Sequence, residues 1–387
     1  MKLGFFCNEY PPRPHGGIGT FVWILATELA RAGHEITVVQ FGDRAASESR
    51  DGVRIVTLPE SRTRHIAWLR NRLRLWRWLR REALAGRMDV FEIPEYQGCL
   101  PFPISVCRVV VRLHHSESGI QDIMNPGTAR RRIYWLEKAT LFWHRRWIAV
   151  SRHILNETRR YFGIEPVYAQ VIYNPAPAIV REELPALPTR PKRYVVYAGS
   201  VSEPKGALIL ARAMREIFVQ YSDIHLVFVG PETEYRGAPI SKAILAAVGT
   251  QYADRVHFTG RLSREYALAW MSGALVFVLP SKVEAFPLVV EEAMALGVPV
   301  IFSACGPGPE IIEDGVDGIL VSADSKDELA RSIRSVLDDP DRAQEMAKAG
   351  QRKVRERFGL STCVAQSLDF YSRALKTCGR ELTFGGR

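Results

Sequence analysis

Two glutamates eight positions apart, Glu284 and Glu292, flank the stretch of this chain richest in possible chemistry. The residues around them read as a strand ending at Pro280, a loop carrying Glu284, and a helix opening at Pro287, where proline suits the first turn. The N–H groups of Leu288, Val289 and Val290 would leave that helix start without partners, which is a place for phosphate oxygens. Glu292 follows Glu284 by about two helical turns, on the same side of the element. One carboxylate could grip sugar hydroxyls and the other a ribose diol. By residue type alone they could equally be a cap and a solvated helix acid. Lys205 lies in a loop after another strand pattern, where it could neutralise a diphosphate or simply sit in solvent. Gly16 and Gly17 follow the first strand, where glycine lets backbone amides approach an anion; a tight turn or a degraded dinucleotide fingerprint reads the same way. Against the dinucleotide, the second strand ends Val39-Gln40-Phe41, without the usual ribose-binding acid. His114 ends an apolar strand, either as a polar site residue or as a satisfied core histidine.

The elements that must position these residues alternate between strand and helix. Strands are expected at 2–7, 35–41, 53–58, 90–93, 106–113 and 147–150, with a helix over 19–32 closing at Gly33. The pattern restarts with strands at 194–198, 225–229, 256–258, 276–279, 299–302 and 318–320, and with helices over 207–218 and 288–296. Pro175, Pro177, Pro185, Pro188 and Pro191 crowd one stretch, which places a linker over 174–192. This is an α/β chain with parallel sheets. Two such units leave a cleft, and ligands bind beyond the carboxyl ends of the strands.

The run Pro280-Ser281 … Glu284-Ala285-Phe286-Pro287 … Glu292-Ala293-Met294-Ala295-Leu296-Gly297-Val298-Pro299-Val300 resembles the donor-site motif of retaining glycosyltransferase family 4. Ala285 and Pro287 stand where that motif often has glycine. Gly306-Pro307-Gly308-Pro309-Glu310 resembles its continuation, and Pro14-His15-Gly16-Gly17-Ile18-Gly19 its first glycine-rich loop. The stretch Gly199-Ser200 … Lys205-Gly206 is similar to a loop whose Arg and Lys neutralise the donor diphosphate; Lys205 matches, but Ser200 replaces the Arg. Arg261, in the loop Gly260-Arg261-Leu262 that resembles the family's base-binding loop, is a candidate replacement or a plain surface residue.

The resemblance implies a GT-B fold: two Rossmann-like domains facing across a cleft, with an acceptor domain over 1–178, a nucleotide-sugar domain over 179–361, and a helix and tail over 362–387 crossing back to the first. It implies Glu284, His114 and Lys205 as catalytic, and Gly16, Gly17, Gly199, Ser200, Gly260, Arg261, Leu262, Phe286, Pro287, Leu288, Val289 and Glu292 as donor-binding with Lys205 and Glu284. Glu95, Tyr96 and His115 fall on the acceptor side. The donor would be a UDP- or GDP-type sugar, and the acceptor a hydroxyl, lipid-linked or on a growing polysaccharide. No cofactor and no metal are expected. An epimerase or disaccharide synthase of the same fold, or a non-enzymatic basic protein binding membrane or RNA, are the alternatives.

Of 387 residues, 52 are Lys or Arg and 42 Asp or Glu, a net charge of +10 that favours anionic partners. The excess is local: residues 62–87 hold nine arginines, three tryptophans and one acid. Arg70, Arg74, Arg77 and Arg81 fall on one helical stripe beside an apolar face that includes Leu73 and Trp76. That is the pattern of an interfacial helix on an anionic membrane surface, and equally of a core helix with a solvated basic face. A second basic, Trp-rich cluster spans 130–147. No nucleic-acid motif is present. The six cysteines form no C-x-x-C pair, and no apolar run approaches a membrane span. The expected location is cytoplasmic, peripheral on the inner face of the cell membrane.

Overall fold

The apolar strand patterns become two parallel sheets. The computed structural model describes residues 1–13, 16–63, 65–176, 179–187 and 189–376; Pro14 and His15 of the glycine-rich loop, Pro177 and Pro188 of the expected linker, and the tail beyond Lys376 lie outside them. The first sheet is built from β1 (Lys2–Phe6), α1 (Gly17–Arg31), β2 (Glu35–Gly42), β3 (Ala46–Arg50), β4 (Val53–Pro59), α2 (Ala67–Leu84), β5 (Val90–Pro94), β6 (Arg108–Leu113), α3 (Glu117–Met124), α4 (Arg131–Trp143), β7 (Arg146–Ala149), α5 (Arg152–Phe162) and β8 (Tyr168–Val171). Its order is β3-β4-β2-β1-β5-β6-β7-β8, parallel except for the antiparallel β3 edge. Strands buried on both faces read as continuous apolar runs, as β1 and β6 do. The order reverses between β1 and β5: β2 and β4 extend one way from β1, and β5 to β8 the other.

The second sheet contains β9 (Tyr194–Ala198), α6 (Ala207–Gln220), β10 (His225–Val229), the short hairpin β11 (Glu234–Tyr235) and β12 (Ala238–Pro239), α7 (Ile240–Val248), β13 (Val256–Phe258), α8 (Arg264–Ser272), β14 (Val276–Leu279), α9 (Leu288–Ala295), β15 (Val300–Ser303), α10 (Gly308–Ile311), β16 (Ile319–Val321), α11 (Lys326–Asp338) and α12 (Pro340–Arg357). Its order is β13-β10-β9-β14-β15-β16, all parallel, reversing between β9 and β14.

The chain divides into Ala176–Gly359, holding the second sheet, and Met1–Pro175 joined by the residues from Leu360 onward. The last helix, α13 (Leu360–Lys376), buries Cys363, Val364, Phe370 and Tyr371 in the core of the first sheet with Leu3, Phe5, Phe21 and Ile148. Phe370 stacks on Tyr168 at 4.8 Å. Beneath it, Arg112 and Glu92 form a buried bidentate pair at 2.7 and 3.1 Å, and the Tyr371 hydroxyl donates to the same carboxylate at 2.6 Å. A buried pair is tolerated when such bonds satisfy it. No disulfide joins the described cysteines, and among the described residues no helix is long and apolar enough to cross a membrane.

Candidate active site

In the second sheet the candidate residues gather where ligands of parallel sheets bind, at the carboxyl ends of the strands beside the reversal between β9 and β14. The loop after β9 carries Gly199, Ser200 and Lys205; the loop after β14 carries Glu284, Phe286 and Pro287. Backbone bonds join the two, with the Lys282 amide donating to the Pro204 carbonyl at 2.9 Å. Gly206 has φ +82°, and a Cβ there would lie 2.2 Å from the Pro280 carbonyl oxygen, so only glycine lets the loops meet.

Lys205 and Glu284 meet as an ion pair at 2.7 Å, and the Glu284 side chain is 9% exposed. The ammonium also donates to the Val283 carbonyl at 3.4 Å. It has three protons, and these contacts leave one. Lys205 is therefore held against Glu284 rather than standing as the separate cation that the sequence suggested. Four residues after Glu284, α9 begins at an N-cap, Pro287, that supplies no side-chain bond. The Val290 amide, expected to be open, turns back to the Pro287 carbonyl at 3.0 Å. The Leu288 and Val289 amides have no acceptor among the described residues, which leaves an anion-ready helix start. Phe286 is buried against Phe358 at 5.4 Å and fixes the entry to the helix.

Glu292 is also buried, and its partner is Arg264 at the start of α8, with Nε 2.9 Å from Oε1. Burial raises its pKa, and Arg264 opposes that rise. Arg264 is absent from the sequence reading, which chose Arg261 three residues earlier. Arg261 is exposed and makes no hydrogen bond or ion pair among the described residues. Gly260 has φ +68°, its carbonyl accepts from the Gly230 amide at 3.1 Å, and Leu262 is half-buried. Ser200 is exposed, and its carbonyl accepts from the buried Tyr197 hydroxyl at 2.6 Å. Glu291 is fully buried with neither carboxylate oxygen bonded among the described residues, and burial, then the Glu292 charge, pushes it well above the usual carboxylate range.

In the first sheet the equivalent reversal lies between β1 and β5, and there the chain itself occupies part of the glycine loop. The Glu9 carboxylate accepts from the Gly16 amide at 2.8 Å and from the Gly19 amide at 3.2 Å. The start of α1 is thus partly filled by the chain's own anion, and the Gly16 amide is taken; a side chain at Gly17 would meet open space among the described residues. An acid three residues past β1 and seven before Gly16 was the available signal.

His114 follows β6 and packs edge-on to Phe21 at 5.3 Å. Burial, aided by the Arg112 charge, lowers its pKa to about 3, so the imidazole is neutral at ordinary pH. The acceptor-side trio separates. Tyr96 is exposed. Glu95 is fully buried, and instead of facing an acceptor it takes the His114 amide at 2.8 Å and fixes the turn behind β6. Burial raises its pKa to about 8. His115 is also buried, at φ +87°, with Nε2 3.1 Å from Glu157. One ring nitrogen is engaged by α5, and the other is buried with no partner among the described residues.

The basic helix is a core element. Leu75, Trp78, Leu79 and Glu82 are its buried residues; Leu79 belongs to the edge of the apolar face read from the sequence, while Leu73 and Trp76 of that face are only half-buried. Trp76 is no free membrane anchor: its indole donates to the Pro103 carbonyl at 3.0 Å, Phe102 lies edge-on to it at 6.4 Å, and Arg80 covers its ring.

Two parallel α/β units, each with polar loops at its strand reversal, are the parts from which the GT-B fold is built. Residues 15–177 match the family model described as glycosyltransferase family 4, and residues 181–353 the one described as glycosyl transferases group 1. The chain belongs to this family and is a glycosyltransferase. It is 25% identical over 404 residues to a glycogen synthase of Mycobacterium tuberculosis, covering 97% of this chain and 95% of that one. Sucrose-phosphate synthase from Thermosynechococcus elongatus shares the fold at TM-score 0.78 and 20% identity, over 97% of this chain and 99% of that one. HepE from Anabaena, solved in complex with UDP, aligns at TM-score 0.73 and 18% identity, over 96% and 100%.

Proposed function

We propose that this enzyme transfers a hexosyl group with retention, without a metal ion, from a UDP- or GDP-type sugar to a hydroxyl on a lipid-linked saccharide or growing polysaccharide. The observation that carries the reading is the Lys205–Glu284 pair at 2.7 Å, four residues ahead of an uncapped helix start. A nucleoside diphosphate is the leaving group. The remaining Lys205 proton and the Leu288 and Val289 amides are aimed at a developing phosphate charge. Glu284 accepts bonds from the sugar hydroxyls. Glu292, oriented by Arg264, accepts from the ribose diol. Neutral His114 positions the sugar by hydrogen bonding. The departing phosphate oxygen takes the acceptor proton on the same face, so no protein nucleophile is needed. The first unit serves the acceptor and the second the donor. HepE, which has been solved with UDP-glucose, supports a nucleotide-sugar donor.

The test is a thermal-shift and calorimetry panel with UDP, GDP, ADP and their sugars, followed by determination of the product anomer by NMR. One nucleotide should bind in wild type and lose affinity in Glu292→Ala. Absence of binding to all three, or an inverted anomer, overturns the reading. Turnover in EDTA should equal that without it; loss in EDTA with rescue by magnesium or manganese would show that a metal shares the work given to Lys205.

A further inference from the structure

The four-arginine stripe of α2 does not face open solvent alone. It borders a cavity of about 550 Å³ between the helix and the carboxyl end of β4. Arg70, Arg74, Arg77 and Arg81 line it, with Ser61 from the connecting loop, and among the described residues no carboxylate does. The two nearest acids in sequence are otherwise engaged. Glu82 is held by Arg87 at 2.9 Å and Arg54 at 3.4 Å, and meets Arg81 only at 3.6 Å. Glu60 lies 3.5 Å from the Asn71 amide. Arg70 is steadied by the Thr63 hydroxyl at 2.6 Å and Arg74 by the Pro59 carbonyl. Each contact uses one nitrogen of a guanidinium that carries five donors. Arg77 has no partner among the described residues. Like charges repeating every three or four residues repel along a helix, so this arrangement favours an anion that bridges them.

The number of guanidiniums points to a polyanion. From Arg70 to Arg81 the helix rises about 16 Å at ~1.5 Å per residue, so four arginines are engaged more fully by a longer anion such as a diphosphate than by a single phosphate. Guanidinium forks match phosphate oxygens in pairs. Leu58, Leu73 and Trp78 add an apolar wall. The cavity's lining residues Leu58, Pro59 and Ser61 lie at the carboxyl end of the sheet, as His114 does. With β2, β1 and β5 lying between β4 and β6, the two are about 19 Å apart at ~4.8 Å per strand.

We propose that this cavity binds a diphosphate group carrying an apolar or saccharide substituent, through Arg70, Arg74, Arg77 and Arg81. It is separate from the donor residues of the second unit and stands without them. The diphosphate could reach it as a lipid headgroup or as a soluble molecule, and both present the same chemistry.

The test measures inorganic pyrophosphate binding by calorimetry in the full chain: wild type, Arg74→Gln/Arg77→Gln, and Lys205→Ala. Pyrophosphate should bind wild type more tightly than inorganic phosphate does and weaken with salt. Affinity should fall about tenfold or more in the double variant, which loses two charge-assisted contacts, and stay within about twofold in Lys205→Ala. Loss in Lys205→Ala with no change in the double variant overturns the proposal and leaves the donor reading standing. Co-sedimentation with phosphatidylcholine vesicles, plain or carrying a polyprenyl diphosphate, separates the sources. Retention only on the diphosphate vesicles, lost in the double variant, supports the site with a lipid-borne ligand. Pyrophosphate binding without retention supports it with a soluble one. Neither binding nor retention overturns it. Arg77→Gln alone removes no contact of the fold, so it provides the same comparison if the double variant melts early.

Discussion

The starts of α1 and α9 are two versions of one device. Each helix follows a strand of a parallel sheet beside the point where strand order reverses, and each presents backbone amides at its first turn. At α1 the Glu9 carboxylate accepts two of those amides. At α9 no side chain caps the turn, and Lys205 and Glu284 just ahead of it pair with each other. A helix start attracts an anion in either case. What differs is whether the chain brings its own. The first sheet closes part of its helix start with its own carboxylate, and the second leaves the Leu288 and Val289 amides without an acceptor among the described residues.

Substitutions can break this contrast. The largest effect should come from the core of the first unit. Glu92→Ala leaves Arg112 buried without its counter-charge, for a loss of about 3–5 kcal/mol in chemical denaturation. Next is Glu284→Gln, which keeps the size but removes the charge. We expect a drop in kcat/KM equivalent to about 2–4 kcal/mol with Tm within a few degrees; near-normal turnover would remove Glu284 from the site. Lys205→Ala should be impaired at least as much, since Ser200 offers no second cation.

Glu95 gives a pH signature. Its folded pKa of about 8 lies above the ordinary 4.5. Between those values the unfolded chain has released the proton and the folded chain holds it, so stability falls as pH rises through that window, by at most about 1.4 kcal/mol per pH unit. Glu95→Gln should flatten that slope in melts from pH 5 to 8; an unchanged slope would mean the carboxyl is ionised in the fold. The smallest effect is Glu9→Ala, about 1 kcal/mol of stability from a lost cap with nucleotide affinity unchanged. A nucleotide affinity that moved with Glu9 would blur the line between the two helix starts.

The order of strands and helices was legible because buried parallel strands are short apolar runs. The expected ranges of β9, β10, β13 and β14 coincide with those observed. β3 escaped because Ala46-Ser47-Glu48-Ser49-Arg50 is exposed throughout and carries no apolar alternation; it forms by pairing with β4 at an edge. β8 is half-buried along its length and gave equally little pattern. Lys205 and Glu284 were singled out because the stretches that hold them resemble family motifs; that the two side chains pair was legible in neither stretch. Arg264 and Glu9 could not be found, because an ion pair 28 residues long and a cap reaching seven residues ahead are set by how loops close. Trp76 was misplaced because helical periodicity gives a face but not which neighbour covers it.

The path of α13 has a consequence for how the molecule is made. Residues 176–359 are, in chain order, an insertion between the first 175 residues and the helix that finishes their core. During synthesis the second unit is complete once Gly359 has left the ribosome. The first must wait, with the Arg112–Glu92 pair lacking the Tyr371 hydroxyl and the Tyr168 ring lacking Phe370, until the last helix emerges. Domains usually mature from the amino terminus as they appear; here the earliest residues to be made are among the last to be closed.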